Sequence, residues 1–162
     1  MKISKNPFEL APAINNSRNL ILEQVMPLLY GVILAAAVWI LWRGHHAPGG
    51  GFIGGLTALA ATAAQAIVFG VPSALRRMPL GPMPLAVTGV ALALCSGLPA
   101  TWFGHPYLTH LWFDVPLGFT QLPLSTVLLF DIGVFCAVWG TLSGYIFALL
   151  RGSDATSPGE QS

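Results

Sequence analysis

Two long apolar segments of this chain meet at the sequence Gly44-His45-His46-Ala47-Pro48-Gly49-Gly50-Gly51-Phe52-Ile53-Gly54-Gly55. An ordinary connecting loop is polar, whereas this one combines a proline and two histidines with a glycine cluster that runs into the second apolar segment. Glycine adopts positive φ angles readily and lets another backbone approach closely. Backbone polar groups at a membrane edge must be satisfied by protein or trapped water rather than by lipid. We therefore predict a hinge that lies against another part of this chain or against a partner.

The composition of the 162 residues is that of a membrane protein. Hydrophobic residues make up 54% of the chain and charged residues 8%, and the mean hydropathy is +0.70. Soluble domains carry about 25% charged residues. The formal net charge of +1 offers no basic field for nucleic acid. Cys95 and Cys136 both lie in apolar runs, so we interpret them as packing residues rather than as a disulfide or redox site.

Four segments are long enough to cross a bilayer, which requires roughly 20 apolar residues. They are predicted at Leu20–Trp42, Gly51–Val71, Met83–Phe103 and Leu124–Leu150. The third segment is the weakest, because Gly89, Gly97 and Pro99 fall within it. The predicted fold is an all-α membrane protein, a bundle of about four transmembrane helices with a Gly/Pro-rich outer hinge between helices 1 and 2.

The positions of lysine and arginine predict the orientation of the bundle. One predicted side carries Lys2, Lys5, Arg18, Arg76, Arg77 and Arg151, and the other carries Arg43. Both termini are therefore predicted to be cytoplasmic, and the hinge and the 104–123 loop are predicted to face outward. Residues 1–19 are predicted to form a cytoplasmic or interfacial segment, and residues 151–162 a disordered cytoplasmic tail.

Small residues recur at helical spacing in two of the segments. In the second they are Gly50, Gly51, Gly54, Gly55, Ala58 and Ala61, followed by Gln65, which we interpret as structural. In the fourth they are Gly133, Ala137, Gly140, Gly144 and Ala148. Such spacing allows membrane helices to approach closely. We expect at least one of the two stripes to hold the chain's own bundle together.

Asp131 is the main candidate for chemistry. It lies about two turns into the fourth segment, at a depth of roughly 10 Å, where a carboxylate costs about 2.5–3.5 kcal/mol. It projects away from the glycine stripe of its own helix, so we predict that it faces another subunit rather than lipid. Two interpretations stay open: a residue of an ion or proton path, and a structural carboxylate hydrogen-bonded to a nearby Ser, Thr or backbone N–H.

The histidines offer weaker candidates. His45 and His46 are adjacent and no cysteine or carboxylate cluster accompanies them, so no metal site is predicted. The favoured interpretation is that the imidazoles serve as hydrogen-bond partners for the hinge backbone. His46 and His110 remain candidates for a proton path, because histidine titrates near neutral pH. The glycine cluster lacks the Lys-Ser/Thr of a phosphate-binding loop and no hydrolase or kinase signature occurs, so no enzyme is predicted.

Two of these motifs resemble those of a known family. The run Gly44–Gly55 is similar to the GHxxPGGGFxGG signature of the MnhB/MrpB family, the B-type subunits of Mrp-type multisubunit Na⁺/H⁺ antiporters. The run Leu128–Phe135 resembles the LLFDxGVF segment of that family, and Leu108-Thr109-His110 resembles its LTH element. The similarity covers roughly residues 17–150, so residues 20–150 are identified as an MnhB-like four-helix transmembrane domain.

The resemblance implies a small integral subunit of a large complex in the bacterial cell membrane. Such a complex exchanges cytoplasmic Na⁺, and sometimes Li⁺ or K⁺, for external protons. The implied partners are membrane lipid and the other Mrp subunits, including large subunits that resemble the proton-translocating subunits of respiratory complex I. The resemblance implies no cofactor, since Na⁺ and H⁺ are the transported ions.

Four helices with one intramembrane acid are too few for a complete carrier built from inverted repeats. Asp131 with Ser125 or Thr126, or with backbone carbonyls near Pro48 and the glycines, could supply the oxygen ligands that Na⁺ prefers. Two alternatives to an ion-path subunit stay open. One is a purely structural assembly subunit, and the other is an ion-translocating subunit of a related membrane-bound hydrogenase.

Overall fold

The computed structural model describes residues 7–44, 49–102, 104, 106, 112–116 and 121–155, with side chains over 22–44, 49–102, 104, 106 and 126–153. The elements in these ranges are α1 Pro7–Arg43, α2 Gly50–Phe69, α3 Val71–Arg77, α4 Pro82–Cys95, α5 Leu98–Trp102, β1 Trp112–Pro116, β2 Gln121–Ser125 and α6 Thr126–Ala155. Among the described residues, four stretches are long and apolar enough to cross a membrane: Leu22–Arg43, Gly50–Phe69, Pro82–Trp102 and Thr126–Ser153. The predicted all-α bundle of four spans is confirmed.

The spanning helices pack side by side in the order α1, α2, α6, α4. Helices α1 and α2 are antiparallel, because Gly44 meets Gly50 at the hinge and Ala37 meets Gly54 one to two turns further on. Helices α2 and α6 run in the same direction, and α4 runs against α6. The start of the α1 span and the end of α6 therefore lie on one side of the bundle, and the hinge lies on the other.

Two spans end at local breaks that the sequence encodes. Helix α2 ends at Gly70, whose φ of 80° is a conformation that glycine adopts without strain. Pro72 then occupies the first turn of α3, where its missing N–H has no intrahelical partner to lose. The predicted second span, which extended to Val71, therefore ran past the helix end. The third span is interrupted at Ser96 and Gly97, between α4 and α5.

Two predicted domain boundaries fall inside helices. Residues 7–19 are continuous with the first span, although a separate N-terminal segment was predicted there. Helix α6 continues to Ala155, so the tail predicted to be disordered from residue 151 begins as helix. Helix formation is cooperative, and an established helix extends beyond its last apolar residue at little further cost.

A short β-hairpin occupies part of the predicted outer loop. Strands β1 and β2 are antiparallel, with Trp112 opposite Ser125 and Asp114 opposite Pro123. The hairpin was not predicted, because five-residue strands containing proline carry a weak sequence signal. Strand β2 leads directly into α6 at Thr126, so the hairpin sets where the fourth span begins.

Candidate functional site

The hinge sequence and the Leu128–Phe135 sequence lie against each other in the fold. Gly51, in the first turn of α2, is in such close contact with Asp131 that a Cβ on Gly51 would overlap the Asp131 carbonyl oxygen. A Cβ on Gly54 would lie 3.1 Å from the Phe135 ring, and one on Gly55 would lie 2.9 Å from the Phe135 carbonyl oxygen. These glycines allow α2 and α6 to approach until backbone meets backbone.

The structure divides the predicted hinge motif into a turn and a helix start. Gly44 and Gly50 are in backbone contact, and Gly49 has a φ of 99° immediately before α2. The Gly49 carbonyl accepts a hydrogen bond from the Ile53 N–H at 3.0 Å, which closes the first turn of α2. The remaining members of the motif, Gly50, Gly51, Phe52, Gly54 and Gly55, belong to α2. His45, His46 and Pro48 lie outside the described residues.

Asp131 is buried, with 8% of its surface exposed. Because α6 begins at Thr126, Asp131 lies five residues into the helix, at about 7.5 Å along its axis. This is shallower than the sequence predicted. The amides of the first turn of α2 have no acceptors within their own helix, and the helix dipole favours negative charge at that end. The Asp131 backbone therefore packs against the end of α2 whose dipole favours negative charge.

The prediction that Asp131 faces another subunit is wrong for this fold. The glycine stripe of α6 packs on α4, where a Cβ on Gly133 would lie 2.5 Å from the Ala93 nitrogen. The opposite side of α6, which carries Asp131 and Phe135, packs on α2 of the same chain. The exposed face of α6 carries apolar residues such as Phe130 and Tyr145, and the acid lies on the covered side instead.

Two other predicted oxygen ligands lie at the start of the span that carries Asp131. Ser125 ends β2 and Thr126 begins α6. Thr126 is five residues before Asp131, which places it about 140° around the helix. His110 lies outside the described residues. Within the part of the chain that the structure describes, no group of three or more His, Cys, Asp or Glu side chains is placed to hold a metal ion.

A second polar cluster, deeper in the bundle, was missed by the sequence reasoning except for Gln65. The Trp139 Nε1–H of α6 donates to Thr62 Oγ1 of α2 at 2.8 Å, and Thr62 in turn donates to the Ala58 carbonyl at 3.0 Å. Gln65 Nε2 donates to Ser73 Oγ of α3 at 3.2 Å. One signal for this cluster was present in the sequence: Thr62 and Gln65 are polar residues one turn apart in an apolar segment. We refer to Thr62, Gln65, Ser73, Trp139 and Ser143 as the inner polar cluster.

Apolar packing separates Asp131 from the inner polar cluster. Ala58 is fully buried, and the rings of Phe135 and Trp139 meet edge to face with centroids 5.7 Å apart and an interplanar angle of 67°. Phe135 is 6% exposed and Trp139 5%. Among the described residues, the α2–α6 interface is thus polar near the hinge, apolar in the middle and polar again towards α3.

The fold and these contacts define a polytopic membrane protein whose two motifs form one helix–helix contact. Residues 21–144 match the family described as a domain related to the MnhB subunit of Na⁺/H⁺ antiporter, and the chain belongs to that family. It is 33% identical over 127 residues to the B-type Na⁺/H⁺ antiporter subunit of Bacillus subtilis (strain 168), and the match covers 76% of this chain and 87% of that protein. The corresponding Na⁺/H⁺ antiporter subunit of Alkalihalophilus pseudofirmus is 32% identical with the same coverage.

A solved structure has the same fold. A chain in the structure of the Mrp complex from Dietzia sp. DQ12-45-1b aligns with a TM-score of 0.68 and 28% identity, over 83% of this chain. The alignment covers 14% of that longer chain. The present chain therefore corresponds to one part of a much larger polypeptide in that complex.

Proposed function

We propose that this chain is an integral membrane subunit of a multisubunit antiporter that exchanges Na⁺, or another monovalent cation, for H⁺. The observation that carries the proposal is the direct contact between its two family motifs, at Gly51 and Asp131. Two sequences that are far apart in the chain and both typical of the family form one packed site. The names of the relatives, which are Na⁺/H⁺ antiporter subunits of the B type, support the same function.

The proposed partners are the other subunits of an Mrp-type complex, including its large complex I-like subunits. The likeness to one part of a longer Mrp chain supports such an assembly. The proposed location is the bacterial cell membrane with both termini in the cytoplasm, a prediction supported by six of the seven lysine and arginine positions. On this proposal the chain is a transport subunit rather than an enzyme, and Na⁺ and H⁺ are its cargo.

Within the complex, Asp131 serves an ion or proton path at the hinge end of the bundle. The apolar middle of the α2–α6 interface argues against a path that continues through this chain from Asp131 to the inner polar cluster. Ions that reach Asp131 would therefore leave towards a neighbouring subunit or along the hinge. His46, His110, Ser125 and Thr126 remain candidates for the other groups on that path.

The test is Na⁺-dependent proton flux in everted vesicles that contain the complete complex, with Asp131→Asn compared with the unaltered chain. Asparagine keeps the size and polarity of the side chain, removes its charge and replaces one acceptor oxygen by an NH₂ donor. We expect flux to fall by at least about tenfold while the amount of assembled complex is unchanged. Glu23→Gln is the matched control, because Glu23 is an exposed acid of α1 and should tolerate the same change. Full flux in the Asp131→Asn complex would remove Asp131 from the mechanism.

A second candidate function is that of a purely structural assembly subunit. It is favoured by the use of both small-residue stripes within this chain, and by the buried apolar packing around Phe135. In that case Asp131→Asn lowers flux only in proportion to the loss of assembled complex. Measuring flux and abundance in the same vesicles separates the two functions.

A further inference from the structure

The inner polar cluster contains two buried polar atoms that have no hydrogen-bond partner among the residues that the structure describes. They are Gln65 Oε1 and Ser143 Oγ, and both side chains are fully buried. A buried polar group without a partner is unfavourable, and inside a membrane span no bulk water compensates for it. Buried polar groups that lack a protein partner are commonly satisfied by ordered water.

Ser143 differs from six other described Ser and Thr hydroxyl groups of the bundle. All six donate to a carbonyl three or four residues earlier in their own helix: Thr57, Thr62, Thr88, Ser96, Thr101 and Ser153. Such bonds are the usual way in which Ser and Thr are satisfied in membrane helices. Ser143 does not form one. Its hydroxyl is therefore available for a ligand.

The packing of α2 on α6 brings Ser143 and Gln65 to the same level. The helices are parallel, with Gly51 at Asp131 and Gly55 at Phe135. Further along, Thr62 meets Trp139 through their hydrogen bond. Gln65 is one turn beyond Thr62, and Ser143 is one turn beyond Trp139. Both side chains are fully buried, and Gln65 is bonded to Ser73 of α3.

We propose that an internal water molecule binds between Gln65 and Ser143 and links α2 to α6. Water both donates and accepts, so it can pair with either end of the Gln65 amide, whichever end faces Ser73. The Ser73 hydroxyl, already bonded to Gln65 at 3.2 Å, has capacity for a further bond. This gives the water two to three partners, which is the number that buried waters typically have.

The chemistry of the cluster favours water over a cation. The oxygens of Thr62, Gln65, Ser73 and Ser143 are all neutral, and a buried charge without a counter-charge is strongly unfavourable. The site is separated from Asp131 by the buried Phe135 ring. The proposal does not depend on the proposed transport function, because it rests on unpaired buried atoms alone.

The test is a cryo-EM map of the full-length chain, in the assembly from which it is purified, at a resolution that shows ordered water. We expect density within hydrogen-bonding distance, about 2.7–3.2 Å, of both Gln65 and Ser143. A second sample prepared in sodium-free choline buffer should show the same density. Density that disappears without sodium would identify a cation site and overturn the proposal. The proposal would also be overturned by a map with no density between Gln65 and Ser143. In such a map Ser143 would bond directly to Gln65 or to the Trp139 carbonyl.

A double-mutant cycle provides an independent measurement. Ser143→Ala and Gln65→Leu should each lower the melting temperature of the assembly, because each leaves the shared water with too few partners. The double variant should lose less than the sum of the two, since it removes both partners at once. Thr88→Val combined with Ser143→Ala is the control and should be additive, because Thr88 bonds within its own helix. Additive losses for Gln65 and Ser143 would contradict a shared ligand.

Discussion

Gly51 has no room for a side chain, because its Cα faces the Asp131 backbone. Replacing Gly51 by alanine forces α2 and α6 apart, and overpacking of this kind costs about 1–3 kcal/mol. We therefore expect Gly51→Ala to lower the melting temperature and the amount of assembled complex. Gly31→Ala is the control, because no atom lies within 4 Å of a Cβ built at Gly31. That change should be neutral or stabilising by up to about 1 kcal/mol, through helix propensity. Equal effects of the two changes would contradict the close contact at Gly51.

The hydrogen bond between Trp139 and Thr62 allows a sharper test at the same scale. Trp139→Phe removes the donor and leaves Thr62 with its bond to the Ala58 carbonyl, so we expect a loss of about 0.6–1.7 kcal/mol, apart from any cost of the smaller ring. Thr62→Val instead leaves a buried Trp139 N–H without an acceptor. That change should cost more, about 1–3 kcal/mol. Thermal unfolding of the purified assembly measures both.

Trp102→Phe serves as the control for the tryptophan change. Trp102 is 90% exposed on the surface of the chain, so its replacement should leave stability unchanged as long as no partner covers it. If Thr62→Val proves milder than Trp139→Phe, the hydrogen bond is not what joins α2 to α6 at this level.

At the scale of elements, α4 and α6 are joined by a glycine stripe that differs in tightness along its length. A Cβ on Gly140 would lie 2.5 Å from the Ala86 nitrogen, whereas one on Gly144, a turn later, would meet its nearest atom, Pro82 Cβ, at 3.5 Å. We expect Gly140→Ala to destabilise the bundle by about 1–3 kcal/mol and Gly144→Ala to be neutral. Thermal unfolding of the two variants compares the same substitution on one helix face. A similar loss at both positions would show that α4 and α6 pack less closely than described.

The break between α2 and α3 is also an element-scale feature. Gly70 redirects the chain so that α3 returns towards α2, where Ser73 accepts the Gln65 hydrogen bond. Tyr30 of α1 lies under the Arg77 guanidinium, which is 5.7 Å from the ring centroid. Helix α3 is therefore held by contacts to both preceding helices, on the side of the bundle opposite the hinge.

At the scale of the whole molecule, four spans place Arg43 and Arg76 on opposite sides of the membrane. Arg43 ends α1 at the hinge, and Arg76 lies in α3 at the other end of α2; both are exposed. In a background with Cys95→Ala and Cys136→Ala, Arg76→Cys should react with an impermeant maleimide in everted vesicles. Arg43→Cys should react only in right-side-out vesicles. Reaction of both from the same side would contradict the fold, and a reversal of both would contradict the predicted orientation alone.

The number of spans, the class of fold and the family motifs follow from the sequence by itself. Length and hydropathy are local quantities, and a stretch such as Gly50–Phe69 must cross the bilayer whatever its neighbours are. The glycine spacing likewise predicts that helices approach closely, since small residues on one side of a helix have few other uses in a membrane. The structure confirms this use within the chain, because the glycines of α2 contact α6 and those of α6 contact α4.

Only the tertiary structure decided which helices meet. The sequence placed Asp131 opposite the stripe of Gly133 and Gly140 but carried no information about which neighbour covers that side. The order α1, α2, α6, α4 puts α2 there, so the acid is buried within the chain. The convergence of Gln65, Trp139 and Ser143 depends on the same packing, because residues nearly 80 positions apart become neighbours only when two parallel helices are aligned in register. Register between helices is a property of their whole interface, and no local pattern encodes it.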